Sequence, residues 1–368
     1  MHPDPQSSTG LLPANLSLAD IEAVRLILRG ASVIDWHRLH LDTPEEVDGF
    51  LRVNGFDASC PVDMARLDHL LERSTEYLRK VLDYHFPAEL RRPGSVPELL
   101  KLASGRSQMQ ALACVLLKVM HIVNHVEAQE LRHRLTVSED ELFTKAQQAV
   151  DEAVYEMRRD GAPIVQYLSS RKSTESLITK LLSKRSTLAA QVFDRVRFRI
   201  VTRTPRDLIP VLAQLKDRLL PYNYVIPGQS RNEILPVDDF LSVPLAGDPD
   251  ARRLHLKLAM EEAVDNEDWN RFSAAGFRMV NFVIDMPLRV RDLVDRARDP
   301  ALRDLGSIVF LVVEFQMFDE RTWEANELGD GSHDRYKDRQ RWEVVRRLEH
   351  GGRVGGIGGP RFAGKTRF

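Results

Sequence analysis

One stretch constrains the fold more than any other: Arg171 to Arg203, R-K-S-T-E-S-L-I-T-K-L-L-S-K-R-S-T-L-A-A-Q-V-F-D-R-V-R-F-R-I-V-T-R. Its hydrophobic period changes part-way. In the first half the spacing predicts a short helix. On a 3.6-residue repeat Lys172, Ser176 and Lys180 share one face, Lys184 drifts just off it, and Leu177, Ile178 and Leu181 point elsewhere and can pack. In the second half Val196, Phe198 and Ile200 alternate with Arg195, Arg197 and Arg199, which predicts a strand over Val196–Thr202. Asp194 stands at the mouth of that strand. Ammonium groups on a helix, guanidinium groups on a strand and one acid beside them suit a phosphate ester with a divalent metal. The same charges also fit a solvated helix face and the wet side of an antiparallel strand.

The flanking pattern extends this change of period over the whole chain. Residues 1–15 read as disordered, and residues 16–160 as a helical domain. Thr43-Pro44-Glu45-Glu46 is a helix start with proline at the first helical position, Leu67–Tyr84 and Gln108–Leu131 are long and periodic, and a helix opening at Ser138 stops at Asp160-Gly161. From Ile164 strands and helices mix. Strands are expected at Tyr222–Val225, Leu254–Met260, Phe277–Asp285 and Ser307–Met317. Helices are expected after Pro205 and over Leu288–Arg298, Arg321–Leu328 and Tyr336–Leu348. The fold class is therefore α+β, a helical N-terminal region followed by a mixed sheet with helical cover. Residues 351–368 read as a flexible, basic, glycine-rich tail. Gly359–Thr366 matches the phosphate-loop pattern, but only Arg367 and Phe368 follow it, too few for the helix that would hold the phosphates.

Composition narrows the class. With 368 residues and 43% hydrophobic residues, the chain can bury a sizeable core and has room for two domains. Lys and Arg total 52 against 54 Asp and Glu, which argues against a general nucleic-acid coat and leaves local basic patches. Cys60 and Cys114 cannot form a disulfide framework. The N-terminal residues lack a basic-then-apolar pattern, and runs such as Ile308–Val313 are too short to span a bilayer, so a cytoplasmic protein without membrane contact is expected. His121 and His125, one turn apart with Glu130 near, have metal-like spacing, but packing histidines are the favoured reading.

A second acid lies inside the strand at Ser307–Met317. Val309, Leu311 and Val313 fall on one side, and Phe310, Val312, Glu314 and Gln316 on the other. A glutamate in so apolar a strand needs a partner. Glu314 can share a divalent ion with Asp194 and take a proton from an attacking hydroxyl, or it can be one half of a buried Glu–Arg pair with a strand arginine.

At this point the residues resemble the RelA/SpoT-type alarmone synthetases, pyrophosphokinases with a nucleotidyltransferase-like fold. Lys172, Ser176 and Lys180 match the family's K-x-x-x-S-x-x-x-K, and Asp194, Arg199 and Ile200 its D-x-x-x-x-R-I. Gly276-Phe277-Arg278-Met279-Val280-Asn281 is similar to its G-Y-Q-S-L-H. Glu314-Phe315-Gln316-Met317-Phe318-Asp319 is similar to its E-V-Q-I-R-T. Asn326-Glu327 and Ser332-His333-Asp334-Arg335-Tyr336-Lys337 resemble its closing segment. The likeness covers roughly residues 164–340 and marks 161–350 as a synthetase-like domain. It implies Lys172 and Lys180 on the phosphates of ATP as donor, and Mg2+ held by Asp194 and Glu314. It also implies Glu314 assisting a 3′-hydroxyl and Phe277 stacked on the acceptor base, with Ser176, Arg199, Gln316 and His333 completing the nucleotide site. Three departures stand out. Ser170 replaces an arginine, with Arg171 displaced by one; Asn281 replaces the acceptor-side histidine; Phe318 replaces an arginine.

Three functions follow as competing expectations. One is magnesium-dependent transfer of pyrophosphate from ATP to a nucleotide or RNA 3′-hydroxyl. Another is a catalytically degenerate module of the same fold that binds a nucleotide or RNA. The third is a helical interaction protein for which the sheet is scaffold. The acceptor and the oligomeric state are left open, and the helical half is expected to cover or position the catalytic half.

Overall fold

A computed structural model describes residues 18–30, 39–92, 94–105, 107–183, 195–235, 277–328 and 333–349. Among the described residues six α-helices come first: α1 (Leu18–Arg29), α2 (Pro44–Val53), α3 (Pro61–Leu82), α4 (Val96–Ser104), α5 (Met109–Arg134) and α6 (Glu139–Arg159). Their starts follow the local chemistry. Thr43 caps α2 in a reciprocal box with Glu46, and Pro44 takes the first turn. The Ser138 hydroxyl accepts from the Glu141 N–H at 3.1 Å to open α6. Among the described helices, α5 has the length and hydropathy (1.4) of a membrane span. Its Ala113, Leu116, Met120, Ala128 and Leu131 are nevertheless buried in the protein core.

The described residues of the second half build a five-stranded mixed sheet in the order β1-β2-β5-β4-β3. The strands are β1 (Ile164–Arg171), β2 (Val196–Thr202), β3 (Arg231–Asn232), β4 (Val280–Arg289) and β5 (Ile308–Asp319). Among the described strands β2 and β5 run parallel and the other pairs are antiparallel. Between them lie α7 (Thr174–Ser183), α8 (Leu208–Arg218), α9 (Arg291–Ala297) and α10 (Pro300–Asp304). After β5 come α11 (Glu320–Leu328) and α12 (His333–Glu349), and α12 packs on α7. This is the α+β architecture expected from the sequence.

Helices and sheet share one hydrophobic core. On one sheet face Phe282 stacks on Phe315 at 5.3 Å and 9°, and Phe198 lies 5.3 Å from Phe315, all three fully buried. Each such side chain contributes roughly 1.5–3 kcal/mol by leaving water. The other face of β5 is divided. Its first half lies under α5: the His125 and Tyr224 rings sit 4.9 and 4.6 Å from Phe310, and Arg132 donates to the Phe310 carbonyl at 2.9 Å. Its second half carries Glu314 and Gln316.

Four sequence expectations are corrected. The chain forms a 3-10 turn at Tyr222–Tyr224 rather than a strand, followed by a single bridge from Val225 to Ile284. β1 is a full strand that the sequence reading leaves unassigned, and its pairing continues until the Lys172 N–H donates to the Arg195 carbonyl at 2.9 Å. As a result α7 begins only at Thr174, with Ser176 and Lys180 on it and Lys172 ahead of it. Finally, β4 continues through Pro287 to Arg289, and the helix expected from Leu288 starts at Arg291. The expected strand at Leu254–Met260, the N-terminal segment 1–15 and the tail 351–368 lie outside the described residues.

Candidate functional site

The parallel pairing of β2 with β5 sets Arg197 beside Glu314 and Arg199 beside Gln316. The antiparallel pairing of β4 with β5 brings Asn281 beside Gln316 from the other side. Registered residues share a face, so five polar side chains converge on one patch. Glu314 is 6% exposed. Its Oε2 accepts from Arg197 Nε at 2.7 Å, and its Oε1 accepts from Gln316 Nε2 at 3.1 Å and Asn281 Nδ2 at 3.4 Å. Gln316 Oε1 in turn accepts from Arg199 Nε at 3.1 Å. Of the two readings of Glu314, this geometry is the ion pair with a strand arginine.

Arg199 is the electrostatically unusual member. Its guanidinium lies 5.6 Å from the Trp323 ring on α11. Burial holds it below the usual guanidinium range, the neighbouring Arg197 charge lowers it further, and Glu314 and Glu327 act in the opposite direction. Arg197 thus holds Glu314 in a hydrogen-bonded ion pair, while Arg199 feels that carboxylate without a direct hydrogen bond. Asn281 Oδ1 is buried without a hydrogen-bond partner among the described residues. An orphan acceptor beside a cationic patch can take a donor from a ligand, such as a sugar hydroxyl.

Aromatic groups border the patch. Phe277 meets Phe318 edge-on at 6.4 Å, and Phe318 meets Trp323 at 5.2 Å. Phe318, which stands where the resembled motif has an arginine, is 1% exposed and fills core space. Phe277 is half-buried. Arg278 is anchored beside it: Asn326 Nδ2 donates to its carbonyl at 2.8 Å, and its Nε donates to the Glu233 carbonyl at 2.8 Å.

The structure thus joins Glu314, Gln316 and Arg199 in one hydrogen-bonded set. Lys172 is tied by its backbone to the start of β2; Ser176 and Lys180 follow on α7, all three half-buried. His333 opens α12, and its side chain lies outside the described residues. Asp194 also lies outside them. Sequence reasoning offered Arg197 only as one of several strand arginines that could pair with Glu314, and left Trp323 out of the site. The signal for Arg197 was its i, i+2 spacing to Arg199; Trp323 gave none, because only the turn of α11 back over β2 brings it near.

The implied magnesium ion can be tested against this geometry. Mg2+ takes about six oxygen ligands at roughly 2.0–2.1 Å. Both Glu314 oxygens already face N–H donors, and a guanidinium sits where a cation would. Among the described residues no group of three His, Cys, Asp or Glu side chains could hold a metal. The described residues, in this arrangement, do not fit a protein-held magnesium. The described histidine pair is engaged in packing and hydrogen bonding. His121 Nδ1 is 3.3 Å from Asn223 Nδ2 with its ring 4.2 Å from Tyr224, and His125 Nε2 is 2.5 Å from Asp285.

No family model and no curated protein sequence matches the chain. Among solved structures, the chain is similar to the small alarmone synthetase 1 from Bacillus subtilis bound to its product pppGpp, at 15% identity over 61% of this chain and 89% of that one, with a TM-score of 0.29. It is also similar to small alarmone synthetase 2 from Bacillus subtilis, at 16% identity over 57% and 88%, TM-score 0.31. A GTP pyrophosphokinase family protein from Streptococcus pneumoniae gives 15% over 59% and 90%, TM-score 0.30. At these scores the likeness carries no conclusion about the site.

Proposed function

We propose that the polar face of β2, β5 and β4 is a nucleotide site, and that the protein transfers pyrophosphate from ATP to the 3′-hydroxyl of a nucleotide or an RNA. The observation that carries this reading is the buried set around Glu314, where Arg197, Arg199, Gln316 and Asn281 concentrate phosphate-binding donors beside one carboxylate and one orphan acceptor. In the reaction the 3′-oxygen attacks the β-phosphorus of ATP, AMP leaves, and the hydroxyl proton passes to Glu314. Lys172, Ser176 and Lys180 hold the donor phosphates and Arg199 bears on the charge that develops. Asn281 Oδ1 accepts from the acceptor sugar. Phe277 offers a ring to the acceptor base, worth about 1–3 kcal/mol. Asp194 is retained as the second acid and His333 as a residue at the nucleotide's rim. Magnesium enters as part of the ATP complex, and no step is assigned to a metal on Glu314.

A nucleotide-binding module without chemistry is the second reading. It is favoured by one observation: both Glu314 oxygens are already occupied by donors. The deciding experiment incubates the protein with labelled ATP and GDP, GTP, adenine nucleotides or transfer RNA, and follows AMP and labelled product. Asn281 and Phe318 provide neither a titratable donor nor a cation on the acceptor side, so GDP and GTP are expected to be poor acceptors beside adenine nucleotides or RNA. ATP binding without transfer to any acceptor would refute the transferase and leave the module.

A further inference from the structure

The disagreement between Glu314 and a metal has a positive side. Arg197 Nε lies 2.7 Å from Glu314 Oε2, with the two side chains 16% and 8% exposed, so the carboxylate has a counter-ion built into the neighbouring strand. Gln316 and Asn281 donate to its other oxygen. A carboxylate offers about four lone-pair sites, and three are used. Displacing Arg197 with a hydrated divalent ion would leave a guanidinium in a largely buried place without this carboxylate, which is costly. Arg199, by contrast, is not saturated. Of its five N–H groups, one donates to Gln316, and the others have no hydrogen-bond partner among the described residues. Its charge is crowded by Arg197 and lacks a carboxylate in hydrogen-bonding contact.

We propose that Arg197 takes the place of a divalent cation on Glu314, so that the site receives the phosphates of a nucleotide directly on Arg199 and needs no metal ion to bind them. This inference rests on the reading of this face as a nucleotide site. The guanidinium fork matches two phosphate oxygens. The Arg197–Glu314 pair holds the neighbouring strand side chains in place and cancels the carboxylate charge that would otherwise repel the anion.

The test is calorimetric titration of the intact protein with ATP in EDTA and in excess Mg2+. The dissociation constants are expected to agree within about threefold, and Arg199→Ala should weaken ATP binding roughly 10- to 100-fold in both buffers. ATP that binds only with Mg2+ would overturn this inference and leave the nucleotide reading standing. ATP that binds in neither buffer would overturn both. A second measurement uses Mn2+ alone, read by electron paramagnetic resonance. The unmodified protein should take up none at Glu314, Arg197→Met should gain a site, and Arg197→Met with Glu314→Gln should lose it again. Mn2+ uptake by the unmodified protein that Glu314→Gln removes, or a folded Arg197→Met variant with no uptake, would overturn the exchange of arginine for metal. The EDTA comparison needs no variant and decides the question even if Arg197→Met does not fold.

Discussion

His121 makes the protein's stability depend on pH in a way that can be calculated. The ring is packed against Tyr224 between α5 and the turn before β3, and Asn223 Nδ2 faces its Nδ1. Burial first, and the nearby His125 second, push its pKa down from 6.5 to about 3. The sign follows from linkage. Above 6.5 both folded and unfolded states carry a neutral ring, and its contribution is fully present. As pH falls below 6.5 the unfolded chain takes a proton that the folded protein refuses, so stability drops until the folded pKa is reached near 3. Between about pH 7 and about pH 5 the loss is about 2 kcal/mol. His121 is only partly buried, so this is the most the group can contribute. Urea unfolding at the two pH values would measure it, with His121→Phe, which keeps a ring against Tyr224, as the control. The variant should show a pH-dependent loss smaller by about the same 2 kcal/mol. An equal loss in protein and variant would refute the assignment to His121.

Other perturbations separate the fold from the site. Glu314→Gln keeps an acceptor for Arg197 and should fold, yet lower transfer at least about 100-fold in the labelled-ATP assay; unchanged transfer would remove Glu314 from the reaction. Glu314→Ala, which takes the carboxylate away from Arg197, should cost about 3–5 kcal/mol by urea titration. Gly306→Ala should destabilise by about 1–3 kcal/mol from backbone strain alone. Gly306 has φ +92°, and an added Cβ would fall 2.8 Å from Nε of Arg66, which is held by Glu127 at 2.7 Å. Deleting residues 1–160 should leave an insoluble or dye-binding fragment, because α5 and α6 pack on β4 and β5 within one shared core; a soluble fragment with unchanged transfer would show that the helical half is dispensable.

Much of this was written in local chemistry. The capping signals at Thr43 and Ser138, the alternation over Val196–Thr202 and the apolar run ending in Glu314 each specify their element through near neighbours. Glu314 announced itself as a residue needing a partner because a lone carboxylate in an apolar strand is too costly to leave unpaired. What the sequence could not specify was the partner. Asp194 and Arg197 were both available, and only the parallel register of β2 on β5 sets Arg197 level with Glu314. Register depends on packing over the whole sheet, since a one-residue slip reverses every side chain. The extent of β4 was hidden for a related reason. The strand was expected to stop at Asp285, but β4 runs on through Pro287, which lies beyond the two-residue β3 and, among the described residues, faces no ladder on that side, so its missing N–H costs nothing there. Lys172 left the expected helix because its backbone N–H, just past the end of β1, bonds to the Arg195 carbonyl. Periodicity along the chain determined which residues face inward; the order of the strands decided which of them meet.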